Sequence, residues 1–114
     1  MKLTDLVIED IKIGEGKISE KGALLIVHYT GRLSDGTVFD SSHHKGRPFQ
    51  FVIGSKRVIQ GWDQGLMGMR VGGIRKLSVP SHLGYGERQI GDIIPSHSDL
   101  YFEVELLDCL TRDE

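Results

Sequence analysis

From Leu100 to Leu106 every second residue is a large apolar one, Leu100, Phe102, Val104 and Leu106 alternating with Tyr101, Glu103 and Glu105. A period of two puts the first set on one face of a strand and the second on the other, so this segment is a strand with one buried and one wet face. The same pattern recurs along the chain. Ala23 to Leu33 (ALLIVHYTGRL) is rich in β-branched and large apolar residues, stops at Ser34-Asp35-Gly36 and restarts with Thr37-Val38-Phe39, which predicts a hairpin. Phe49, Phe51 and Ile53 alternate around Gln50 and Val52, and from Arg75 to Val79 the residues Leu77 and Val79 alternate with Lys76 and Ser78. A helical period occurs once, over Val58 to Met67, where Ile59, Trp62 and Leu66 share a face. Gly61 and Gly65 inside that segment each cost about 1 kcal/mol relative to Ala, so packing must hold the helix, the glycines letting a sheet come close. The expected fold class is α+β, an antiparallel β-sheet with one short α-helix on its face.

The length of 114 residues fits a single domain over 1–114. A chain of this size hides roughly two-thirds of the surface it exposes when unfolded, enough for one core without disulfides or a structural metal. No repeat, low-complexity tract or linker divides it. With 14 Lys+Arg against 16 Asp+Glu the formal net charge is −2, which gives no reason to expect a nucleic-acid partner. Cys109 is the one cysteine, so no bridge forms within the chain and a reducing compartment is the natural reading. Asp5, Glu9 and Asp10 interrupt the N-terminus where a secretory signal needs an apolar run. No stretch approaches the ~20 apolar residues of a membrane span. The expectation is a cytoplasmic protein with no membrane partner. The 15 glycines, about twice the usual ~7%, imply many tight turns. Pro80 to Ser98, with Gly84, Gly86, Gly91 and Pro95 and no clean period, reads as an extended surface loop of the length that is usually functional. The tail Thr111 to Glu114 reads as frayed chain.

Five histidines (His28, His43, His44, His82, His97) and many serines supply the parts of a nucleophilic site, but no G-x-S-x-G elbow accompanies them. Cys109 has no electropositive surroundings in sequence and reads as a core or surface thiol. His43 and His44 are neighbours, which on a strand point to opposite faces and in a loop are simply solvated, so no metal site is expected. Gly14-Glu15-Gly16 ends in Ser19 where a dinucleotide fingerprint needs a third glycine, and Gly72-Gly73 lacks the rest of a phosphate loop. Both read as turns. What stands out is the set of aromatics near turns and loops: Tyr29, Phe39, Phe49, Trp62, Tyr85 and Phe102, joined by Val58, Ile59 and Ile94. A sheet with one helix buries all of these only by forming a thick core or an apolar hollow.

The runs VHYTGRLSDGTVFDSS from Val27 to Ser42, PFQFVIGSKRVIQGWDQGLMGMRVGG from Pro48, LGYGE from Leu83, IIP ending at Pro95 and LYFEVELL from Leu100 come in one order with short spacings. This string of motifs resembles the FK506-binding protein (FKBP) family of peptidyl-prolyl isomerases over residues 22–107. The resemblance implies a twisted antiparallel sheet wrapped around one short helix, with an apolar pocket between them. It implies an isomerase of X-Pro peptide bonds that needs no cofactor. Its partners would be proline-containing polypeptides and macrolides of the FK506 or rapamycin type, and a monomer is expected.

Carried over residue by residue, the resemblance makes Trp62 the pocket floor, with Tyr29, Phe39, Phe49, Val58, Ile59, Tyr85 and Phe102 as walls, Ile94 as a wall from the long loop, and Asp40 as the polar residue at the edge. It assigns the backbone amide of Ile59 as the ligand's hydrogen-bond donor. Asp40, Tyr85, Phe39, Trp62 and Phe102 are thereby implied in catalysis, and Tyr29, Phe49, Val58, Ile59 and Ile94 in substrate binding. Three departures bear on specificity: the charged run Glu87 to Asp92, Ser96 where a second proline often follows the first, and Lys45 near where many relatives carry an arginine. No insertion stands between Val79 and Leu100, so neither the extra chaperone domain of some relatives nor a histidine-rich metal-binding tail is expected. The alternative is a module that grips a proline-containing segment without turnover.

Overall fold

The computed structural model describes residues 2–111. Its elements are β1 (Val7–Lys12), β2 (Leu24–Arg32), β3 (Val38–Ser41), β4 (Phe49–Val52), α1 (Gln60–Gly65), β5 (Ile74–Val79), a single 3-10 turn (Ser81–Leu83) and β6 (Leu100–Leu110). The strands form one antiparallel sheet in the order β1-β5-β6-β2-β3, with β4 also pairing with β2. β3 pairs with the Thr30 end of β2 and β4 with the Leu24 end, so two short strands share one edge of a long one. The α+β expectation holds.

Alternation set the core. Leu25, Val27 and Tyr29 from β2 and Leu100, Phe102, Val104 and Leu106 from β6 are buried, and the residues between them are at least partly exposed. The strand read as ending at Leu106 continues to Leu110, because the register shifts there: Val27 pairs with Leu106 but Ile26 pairs with Asp108. The extra residue Leu107 is a β-bulge. It reverses the phase of the alternation, so that Cys109, at 1% exposure, points inward where strict period two would point it out.

β1 was not legible in the sequence. All six of its residues are exposed, so it carries no alternating burial. It is held as an edge strand by pairing with β5 and by the Arg75 guanidinium. Arg75 Nε donates to Asp10 Oδ1 at 2.7 Å, and its Nη1 donates to the carbonyls of Gly65 (3.0 Å) and Met67 (2.9 Å). One buried cation therefore ties the edge strand to the end of the helix, where carbonyls lack helical partners and favour positive charge.

The helix is shorter than the Val58 to Met67 reading, six residues from Gln60 to Gly65. Asp63 in its first turn uses its carboxylate on the preceding loop, accepting from Gly54 N (2.8 Å) and Lys56 N (3.0 Å). The segment Pro80 to Ser98 is more ordered than an extended loop. Ser81 N donates to Asp99 Oδ1 (3.1 Å), Leu3 N donates to Asp99 Oδ2 (2.7 Å), His97 N donates to the Gly86 carbonyl (2.7 Å), and Ile90 bridges Ile94. Of the terminal tail, Arg112 to Glu114 lie outside the described residues. Among the described residues no helix is long and apolar enough to cross a membrane.

The helix lies closer to β5 than side chains allow. A Cβ on Gly61 would fall 2.5 Å from Val79 Cγ1, and one on Gly65 would fall 2.8 Å from Leu77 Cδ2. Helix propensity alone predicts that Ala at either position adds about 1 kcal/mol of stability, whereas overpacking costs about 1–3 kcal/mol. Gly61→Ala and Gly65→Ala are therefore expected to destabilise in a urea titration. Gln64→Ala on the exposed side of the helix stays within about 0.5 kcal/mol of the parent; a stabilised Gly61→Ala would contradict the close approach.

Candidate functional site

Between the helix and the concave face of the sheet is a hollow of about 240 Å³. Its floor is Trp62, 4% exposed, the third residue of α1, pressed against the core between Gly61 and Gly65. Around the indole stand Tyr29 (centroids 5.0 Å, interplanar 81°), Phe102 (5.4 Å, 81°) and Phe49 (6.0 Å, 72°), all edge-on. Phe39 from β3 meets Phe102 edge-on at 5.7 Å and 82°. Edge-to-face is a favoured aromatic geometry, worth about 0.5–1.5 kcal/mol per pair beyond the area buried.

The walls are completed by Val58 and Ile59 ahead of the helix, by Tyr85 from the segment after β5, and by Asp40 and Lys45 at the rim. Nine of the ten residues singled out in the sequence thus line one hollow. Ile94 does not. It is 4% exposed, bridged to Ile90 and packed in the core cluster that contains Trp62 and Phe102.

Two contributors escaped sequence reasoning. Gly31 sits in β2 under the Phe39 and Phe102 rings, and a Cβ there would fall 2.7 Å from Phe39 Cζ and 2.9 Å from Phe102 Cε1. The signal was present, since an isolated glycine inside a strand pattern marks a close approach. Arg57 lines the rim from an exposed loop position, where nothing in the sequence distinguishes it from other surface cations.

The polar groups are few and specific. The Tyr29 hydroxyl donates to Asp40 Oδ2 at 2.7 Å, and Lys45 Nζ stands 3.1 Å from Asp40 Oδ1, so both carboxylate oxygens are engaged. Burial works against the charged form of Asp40, but the Tyr29 hydrogen bond and the Lys45 charge outweigh it and hold the carboxyl below its usual range. Burial, with the Asp40 charge added, pushes the Tyr29 hydroxyl well above its ordinary value and raises that of Tyr85 as well. Both phenols are therefore neutral donors at physiological pH, and Asp40 is a fixed negative charge.

Among the described residues the Tyr85 hydroxyl and the Ile59 amide have no protein acceptor, and Trp62 Nε1 is buried without a partner. The Tyr85 hydroxyl and the Ile59 amide are donors available to a guest; the Trp62 Nε1, fully buried, is not. Ser42 Oγ does lie 2.8 Å from His28 Nδ1, but Ser42 is 1% exposed, accepts from Tyr29 N, and is not part of the hollow. His28 stacks on His43 at 4.3 Å. The hollow offers apolar walls, donors and one anion, but no activated nucleophile.

Comparison with known proteins agrees with this chemistry. Residues 15–107 match the family of FKBP-type peptidyl-prolyl cis-trans isomerases. An FK506-binding protein of Neisseria meningitidis serogroup A is 52% identical over 102 residues, covering 90% of this chain and 94% of that protein. The peptidyl-prolyl cis-trans isomerase FKBP2 of Homo sapiens is 55% identical over 96 residues, covering 84% of this chain and 68% of that protein. The crystal structure of AtFKBP13 superposes with a TM-score of 0.86 at 40% identity, covering 90% and 91% of the two chains. That of FkpA from Escherichia coli gives 0.85 at 38%, covering 93% of this chain and 48% of the other. With an aromatic cup on a helix-spanned antiparallel sheet and a match across most of its length, the chain belongs to the FKBP-type peptidyl-prolyl cis-trans isomerases.

Proposed function

We propose that this chain accelerates rotation about X-Pro bonds of polypeptides seated in the hollow, and that FK506-type and rapamycin-type macrolides occupy the same space. The observation that carries the reading is the edge-to-face ring cup closed by Trp62, with donors but no nucleophile at its rim. X-Pro rotation needs no covalent bond to break. Its barrier of about 18–20 kcal/mol reflects amide resonance, and uncatalysed exchange takes tens of seconds or more. In the twisted transition state the amide loses much of its charge separation, so a dry aromatic hollow favours it over the planar, better hydrated ground states.

In this mechanism Trp62, Phe39 and Phe102 hold the prolyl ring while the chain on its N-terminal side turns, with Tyr29, Phe49 and Val58 closing the walls. The Tyr85 hydroxyl and the Ile59 amide donate to substrate carbonyls, and the edge of Asp40 steers the turning one. Asp40 is not a general base, since both its oxygens are occupied. Ile94 supports the segment that carries Tyr85 rather than touching substrate. The same reading has the protein act as a monomer that assists folding in the cytoplasm, which its single buried cysteine, Cys109, supports.

The test is the cis-to-trans relaxation of a short X-Pro peptide with and without the protein, repeated with FK506 as competitor. Acceleration abolished by FK506 is the expected result; no acceleration by folded protein leaves only the gripping of proline segments without turnover. Phe39→Ala is expected to lower kcat/KM by roughly tenfold or more, with smaller losses for Tyr85→Phe and Asp40→Ala. Unchanged rates in all three would overturn the assignment of the site.

The pH dependence follows from Asp40. Its folded carboxyl titrates below the usual 3.8, so the stability it contributes is complete above that value and is lost as pH falls through the lower folded one. As far as Asp40 is concerned, the rate is level from about pH 8 to about pH 5 and declines only in stronger acid. Lys45→Met moves the Asp40 titration, followed by carboxyl NMR, to higher pH, because burial is then opposed without the lysine's charge. A titration unmoved by that change would show that the Lys45 pair does not form in solution.

A further inference from the structure

The hollow does not end at its rim. Past Arg57, Val58, Ile59 and Tyr85, which line both spaces, it opens into a wider groove of about 870 Å³ that runs over the exposed side of the helix. A hollow of about 240 Å³ is smaller than the roughly 300–1,000 Å³ of sites that swallow a drug-sized ligand. It takes a residue-sized group, whether of a peptide or of a macrolide, and the chain flanking that group lies outside, where on the Tyr85 side it meets this groove.

The groove is strongly cationic in a chain whose net charge is −2. Lys21, Lys56, Arg57 and Arg88 line it, against the single carboxylate of Asp63. None of the four cations pairs with a carboxylate among the described residues, and all four are exposed. Asp63 pairs with none of them, its two oxygens accepting the Gly54 and Lys56 backbone amides, and its one negative charge against four positive ones leaves the lining with a net charge of +3. The fold fixes the stem of one of these cations and the backbone of another. The Lys21 stem lies across Gly54, where a Cβ would fall 2.7 Å from Lys21 Cγ, and Lys56 is held at φ 65° by the bond from its amide to Asp63. Arg88 comes from the charged segment after Tyr85 and acts on the Tyr85 hydroxyl from the groove side, while Glu87 and Asp92 of that segment do not line the groove.

We propose that this groove selects client segments carrying Asp or Glu within a few residues of the proline, so that Lys21, Lys56, Arg57 and Arg88 determine specificity for the reaction proposed above. The inference rests on that reaction for its catalytic form, but the groove binds whether or not turnover occurs. Four unpaired cations beside an apolar hollow both steer an acidic segment toward it and hold the segment along the helix.

The experiment compares peptides with one X-Pro core and Glu, Gln or Lys at the flanking positions. At low salt kcat/KM is expected to be roughly tenfold higher for the Glu peptide than for the Gln peptide, with the difference in KM, and lower again for Lys; the gap closes at about 1 M salt. In the triple variant Lys21→Gln, Lys56→Gln, Arg88→Gln the Glu-to-Gln ratio falls to about one, with circular dichroism reporting the fold. Equal rates for Glu and Gln peptides, or a gap that survives both salt and the variant, would overturn the inference. Fluorescence anisotropy of the same labelled peptides keeps the two readings apart. Tighter binding of the Glu peptide without acceleration removes the isomerase and keeps the groove; equal affinities remove the groove. A single-stranded oligonucleotide that binds more tightly than the Glu peptide would assign the cations to a polynucleotide and overturn the inference too.

Discussion

The site exists because a helix of six residues lies directly on the Leu77 and Val79 side chains of β5. Gly61 over Val79 and Gly65 over Leu77 bring α1 down until Trp62, between them in sequence, is pressed among Tyr29, Phe49, Phe51 and Phe102. A larger residue at either glycine would lift the floor and change the depth of the hollow. The helix is too short to be stable by itself. Its far end is held by the Arg75 guanidinium, which bonds the Gly65 and Met67 carbonyls while paired with Asp10 on the edge strand. A buried cation of this kind is costly unless every donor has a partner, and here its bonds join three elements at once.

At the rim the electrostatics keep acid–base chemistry out of the reaction. The phenol of Tyr29 and the ammonium of Lys45 together hold Asp40 ionised against the burial that opposes its charge. The result is a fixed field beside an aromatic cup rather than a proton carrier. Such a site suits a step whose difficulty lies in twisting a bond, and gives little help to one that must break a bond.

The sequence disclosed those parts of the fold in which one side of an element is buried and the other is not. β2 and β6 were readable for that reason, as was the face of α1 bearing Trp62. β1 was not, because Val7, Ile8 and Ile11 are all exposed and no burial pattern is imposed on it. Cys109 was ambiguous because the bulge at Leu107 changes the phase of β6, and a single inserted residue leaves no mark in composition. The convergence of Tyr29, Phe39, Trp62, Tyr85 and Phe102 on one hollow is a property of the whole sheet, and periodicity placed each residue on its element without bringing them together. Resemblance supplied that step; Ile94, which it also named, does not line the hollow but is buried in the same cluster as Trp62 and Phe102, where an apolar side chain suits core and wall equally well.

The position of β6 also governs how the molecule must assemble. Formed from residues 100–110, it lies inside the sheet with β5 on one side and β2 on the other, and its pairing with β2 joins residues some seventy or more positions apart. Contacts so distant in sequence require a large loop to close before they contribute, which slows folding relative to a chain of local contacts. During synthesis β1 to β5 emerge without the strand that joins them, and the facing edges of β2 and β5 lack their partner. The two half-sheets, β1 with β5 and β2 with β3 and β4, are thus joined only when β6 takes its place between them.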